Sequence, residues 1–78
     1  MEDEICRIIE QALELRSGSV TINDGVNTIK KWDSLGLLAI LSALEKRFGN
    51  RIAALDGLAS VRSVQDIVRV LKKEGIVK

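Results

Sequence analysis

WDSLGLLAILSALEKRFG, residues 32–49, carries a nearly complete set of helix signals in one run. Asp33 is a good N-cap residue, which puts Ser34 at the first helical position. Gly49 stands where a helix terminator belongs. Between them Leu37, Ile40, Leu41, Leu44 and Phe48 recur at three- and four-residue spacing, one apolar stripe facing inward. The spacing predicts a helix over 34–48. Its opposite face is unusual: at about 100° per residue, Leu35, Leu38, Ala39 and Ser42 point away from the stripe, where a surface helix normally carries charge. Two readings stand open. Either the patch is exposed and meets a partner, or the first helix or the long loop covers it and this helix is buried all round.

On the N-terminal side, Ile5, Ile8, Ile9, Ala12 and Leu13 form a second apolar stripe, predicting a helix from Glu2 to about Arg16. Acids crowd its first turn and Arg16 is expected in its last, both favourable to the helix dipole. The segment between the two helices, SGSVTINDGVNTIKKW, is rich in Gly, Ser, Asn and Thr. Asp24-Gly25 between β-branched runs could turn a hairpin. The alternative is a long ordered connection pinned by Val20, Ile22, Val26 and Ile29. Two lone strands are marginal unless they pack on something, which favours the connection.

On the C-terminal side, Asp56 could cap a short turn over 57–60. Ser63 and Asp66 then have the arrangement of a capping box ahead of Val64, Ile67, Val68 and Leu71. Lys72 and Lys73 enrich the last turn and Gly75 ends this third helix. The fold expected is all-α: three main helices plus one short helix, a long loop between the first two, and a single domain over residues 1–78.

The chain's 78 residues hold one small core, and an apolar content of 46% supplies surface to bury. Trp32 and Phe48 are the only large aromatics, so the core must be built from Leu, Ile, Val and Ala. A single cysteine, Cys6, cannot close an intramolecular disulfide. This suits a reducing, cytoplasmic setting. Beside the helix stripe, Cys6 reads better as a small buried hydrophobe than as a reactive thiol. With no histidine and one cysteine, Cys/His zinc sites and Ser–His–Asp or Cys–His catalytic arrangements are excluded. The start, MEDEIC, is acidic where a signal peptide needs positive charge, and no stretch is long and apolar enough for a membrane span. A net charge of +1 is a weak footprint for nucleic acid. The alternative from that class is a helical interaction or DNA-binding module using the scattered bases Lys46, Arg47, Arg51, Arg62 and Arg69.

The run from Trp32 to Gly49 resembles the phosphopantetheine-attachment segment of acyl carrier proteins. Asp33-Ser34-Leu35 opens the second helix as in that family, and Ala43-Leu44-Glu45 with Phe48 matches its A-L-E-x-x-F ending. The S-V-Q-D-I-V run from Ser63 to Val68 looks like the family's last helix, so the likeness covers nearly the whole chain. The resemblance implies that Ser34 receives a 4′-phosphopantetheine arm from coenzyme A through a separate phosphopantetheinyl transferase. It implies that Asp33 caps the helix and helps that transferase hold Mg²⁺. Leu35 would insert into partner enzymes, with Leu38, Ala39 and Ser42 continuing the docking face. The protein would be a monomeric carrier, not itself an enzyme: acyl-loading and acyl-processing enzymes would act on a cargo held as a thioester. An aminoacyl or peptidyl carrier has the same chemistry with another cargo, and these residues do not separate the two. One departure stands out. Carriers of bulk fatty-acid synthesis usually have an acidic second helix, whereas this one holds only Glu45, followed by Lys46 and Arg47, with Ala39 where an acid is common. Charge complementarity sets encounter rate and partner choice. The expectation is therefore a dedicated carrier of a specialised lipid or secondary-metabolite pathway.

Overall fold

Helix α1 spans Glu2–Ala12 in the computed structural model, which describes residues 2–77. The two ends of the expected domain, positions 1 and 78, lie outside the described residues. Ile5, Ile9 and Leu13 are buried, with Ile8 and Ala12 half-covered. The helix stops short of the expected Arg16, and the backbone shows why. Glu14 sits in the left-handed region at φ 57°. The Leu15 N–H then donates to the Glu10 carbonyl (2.8 Å) and the Glu14 N–H to that of Gln11 (3.3 Å). This is the Schellman arrangement, and Leu15 folds back onto the core. Arg16 is therefore past the helix and does not complement its dipole.

Helix α2 covers Ser34–Phe48, as the sequence predicts, and ends at Gly49 with φ 92°. Ile40 and Leu44 are fully buried, while Leu37, Leu41 and Phe48 are half-buried. Two short 3₁₀ helices follow, Asn50–Ala54 and Asp56–Ser60, in place of the one short helix expected. Asp56 lies inside the second and caps nothing; Leu55 holds the cap position without a side-chain bond. Ile52 and Leu58 plug these turns into the core. Helix α3, Val64–Lys73, buries Val64, Ile67, Val68 and Leu71. The Ser63 Oγ accepts from the Asp66 N–H (3.1 Å), while the Asp66 carboxylate accepts from the Arg62 N–H (3.1 Å), one residue beyond the position a capping box uses. A second Schellman turn closes α3 at Gly75 (φ 73°), with the Ile76 N–H on the Leu71 carbonyl (2.9 Å).

The connection from residue 13 to residue 33 is the ordered loop; no hairpin or strand occurs among the described residues. Val20 and Ile29 are buried, and Ile22 and Val26 rest on the core. Two devices fasten it. Glu10, on α1, is 2% exposed and accepts from the backbone N–H groups of Val20 (2.9 Å) and Gly18 (3.1 Å) and from Arg7 (2.9 Å). Burial by itself would raise the Glu10 carboxyl; these three donors more than offset it and hold the group below its ordinary value. Further along, a single antiparallel bridge joins Gly25 to Ser63, flanked by Val26 N–H to Arg62 carbonyl (2.8 Å) and Val64 N–H to Asp24 carbonyl (3.0 Å). A Cβ at Gly25 would collide with the Arg62 carbonyl oxygen, so this approach admits only glycine. Cys6 is buried, and burial, only partly countered by the nearby Arg7, pushes its thiol pKa up, which suits a packing role.

Together the helices and the loop enclose a core of Leu, Ile and Val with one aromatic, Trp32 (3% exposed). The bundle is all-α, as expected.

Candidate functional site

The start of α2 is fixed from three sides. Asp33, in extended conformation (φ −115°, ψ −163°), accepts from the Gly36 N–H at 2.9 Å and caps the helix. Gly36 is buried against the loop: a Cβ there would run into the Lys31 carbonyl oxygen and touch Leu13. Trp32 is sunk in the core just before the cap. These contacts make the turn from loop to helix rigid, and Ser34 is carried on it, exposed to solvent.

Because Asp33 supplies the capping oxygen, the Ser34 hydroxyl is not committed to the cap. It lies at the positive end of a fifteen-residue helix whose first turn contains no acid. Free N–H groups and the dipole make that end favourable for a phosphate. The open question about the outer face is answered directly: Leu35 is 76% exposed and Leu38 63%, the two exposed large hydrophobics among the described residues. Neither α1 nor the loop covers them. Ser42, one turn further, is exposed as well.

Ala39 falls elsewhere. It is half-buried in a groove between α1 and α2, beside Ile8, Ala12 and Ala43. The structure thus brings Ser34, Leu35, Leu38 and Ser42 onto one accessible face and turns Ala39 toward its flank. On the other flank, Leu38, Leu41, Ile52, Leu55 and Leu58, together with Ser42, Glu45 and Asp56, line a hollow of about 340 Å³ between α2 and the two 3₁₀ helices. Lys46 is exposed, while Arg47 pairs with Glu4 and stacks over the Phe48 ring at 5.1 Å.

Three residues around Ser34 escape a periodicity reading. Gly36 carries a signal, a glycine in the first turn of an otherwise strong helix former, but its reason is a carbonyl five residues back. Arg62 reaches the site only through the pairing of Gly25 with Ser63; it lines a hollow of about 330 Å³ with Ser34, Trp32 and Leu37. Trp32 lines the same hollow, and its Nε1 is buried with no hydrogen-bond partner among the described residues. An unmade bond of this kind costs about 1–3 kcal/mol. An acceptor brought within its reach would relieve it.

Among the described residues no cluster of His, Cys, Asp or Glu could hold a metal ion, and no helix is long and apolar enough to cross a membrane. Comparison of the chain with family models, with curated proteins and with solved structures gave no match.

Proposed function

We propose that this chain is an acyl carrier, with 4′-phosphopantetheine attached through a phosphodiester to the Ser34 hydroxyl. One observation carries the reading: an exposed serine at the N-terminus of an Asp-capped helix, followed on the same face by two exposed leucines. The bound arm would carry the acyl group as a thioester on its terminal thiol, and the protein's part is presentation. Asp33 holds the helix end in place and contributes a carboxylate for the transferase's Mg²⁺. Leu35 and Leu38 give partner enzymes an apolar anchor that costs the free protein nothing in packing, with Ser42 at the edge of the face. Ala39, half-buried, contributes to this face only by being small.

The charge pattern supports a dedicated partner set. α2 presents Lys46, and its single acid, Glu45, is half-buried. Enzymes that recognise an acidic second helix would meet neither the charge nor its long-range steering. A specialised lipid or secondary-metabolite pathway suits this surface, and a cytoplasmic setting suits both the coenzyme A donor and an unpaired, buried Cys6.

The test is intact mass after incubation with coenzyme A, Mg²⁺ and a promiscuous phosphopantetheinyl transferase. The parent should gain one phosphopantetheine and Ser34→Ala none. A folded parent that stays unmodified with this transferase and with the host's own would overturn the reading.

A further inference from the structure

The hollow at the base of α2 has three features that no packing role explains. Ser34 forms part of its rim. Arg62, which also lines it, is exposed, and its guanidinium makes no ion pair or hydrogen bond among the described residues; only its backbone groups are used, with Asp66 and Val26. Trp32, which lines the hollow with Val26, Leu37 and Val61, has an indole N–H buried without a partner among the described residues. A cation, apolar side chains and a tryptophan with an unsatisfied donor thus line one hollow with Ser34.

We infer that this hollow seats the first part of the group carried on Ser34: Arg62 pairs with the phosphodiester, and the apolar side chains that line it with Trp32 take the branched pantoyl segment that follows. The inference rests on the carrier reading and goes beyond it, since an arm attached at an exposed helix end has no need of a resting place. The charges require a cation here. Asp33 stands on the same rim, and its carboxylate repels a phosphate. The α2 N-terminus and Arg62 offset it, Arg62 by a charge-assisted contact that the helix end alone cannot make. The branched methyl groups of the arm match the Val26, Leu37 and Val61 surface, and the hydroxyl or amide oxygen beside them is an acceptor for the Trp32 N–H. Such a seat would hold the arm near the α2 end until a partner enzyme, reaching for the thiol, displaces it.

Trp32 is the only tryptophan, so its indole N–H gives one resolved signal. The experiment compares the apo protein with the phosphopantetheinylated protein, loading being verified by intact mass. It reads the Trp32 indole ¹H–¹⁵N signal, its hydrogen exchange, and the ³¹P relaxation of the diester. Loading should move the indole signal and slow its exchange by about threefold to tenfold, the worth of one ordinary hydrogen bond. The ³¹P line should tumble with the protein. Arg62→Gln, compared only once intact mass shows it fully loaded and melting shows it folded, should give a mobile phosphate. An unchanged indole signal and a freely mobile diester on fully loaded protein would overturn the seat while leaving the carrier reading intact. A phosphate as ordered in Arg62→Gln as in the parent would overturn Arg62 as its partner. Failure to load would remove the carrier reading, and this inference with it.

Discussion

Glu14 holds a backbone conformation that glycine adopts without penalty and an L side chain does not (φ 57°). Its side chain is exposed, so nothing is lost by removing it. Glu14→Gly should therefore stabilise the domain by about 0.5–1 kcal/mol, the left-handed penalty less glycine's added freedom in the unfolded chain. A melting temperature several degrees higher would show it; an unchanged or lower one would mean that the turn after α1 is held some other way. Glu10 is the opposite case, a buried acid that works. Its carboxyl titrates below the ordinary value in the fold, so its contribution is complete above the unfolded pKa and is lost as pH falls through the folded one. Asp24, held low by the Thr21 N–H and the Thr28 hydroxyl, adds in the same direction. Stability should fall on acidification below the ordinary carboxylate range. Glu10→Gln should flatten that fall and lower stability at neutral pH, as denaturant midpoints measured across pH would show. Neither residue was legible beforehand. Glu10 reads as one more solvated acid of α1 because its partners, the N–H groups of residues 18 and 20, belong to a loop whose path periodicity does not give. Glu14 reads as helix because the usual terminator, glycine, is absent.

The helices themselves divide by how locally they are encoded. α2 and α3 begin and end where the sequence places them, because cap, stripe and terminator all lie within each segment. The sequence predicts a single turn over 57–60 capped by Asp56, where the structure has two 3₁₀ helices; Ile52 and Leu58, the residues that seat the pair, need the α2 and α3 surfaces to make sense of their spacing. In α2 the inward stripe holds, with its weight on Ile40 and Leu44. Leu44→Ala should cost about 2–5 kcal/mol, enough to threaten a domain of this size. Leu41→Ala should cost less, since Leu41 is half-buried beside the hollow between α2 and the 3₁₀ helices. Leu35→Ala should leave stability nearly unchanged and weaken enzyme docking. Equal losses at positions 35 and 44 in urea unfolding would contradict this division.

At the scale of the whole molecule, the leucines and Ile52 that line the hollow between α2 and the 3₁₀ helices, with Ser42, Glu45 and Asp56 also in its lining, can repack around an inserted chain more readily than a core of large aromatics could. Acylation of the loaded protein should shift the amide signals of Leu41, Ile52 and Leu58 relative to the unacylated form; absence of any change there would show that the cargo stays outside. The exposed face was half legible: periodicity set Leu35, Leu38 and Ser42 apart from the stripe, but only the packing of α1 and the loop shows that nothing covers them and that Ala39 turns aside. Arg62 could not be joined to Ser34 from the sequence, since a backbone bridge between residues 25 and 63 brings it there. The central claim is the modification of Ser34, and its most direct measurement is tandem mass spectrometry of tryptic peptides from the transferase-treated protein. Cleavage after Lys31 and Lys46 isolates residues 32–46, which hold two serines, Ser34 and Ser42. The account predicts one phosphopantetheine on that peptide, localised to Ser34. The group on Ser42, or on no peptide at all, would contradict it.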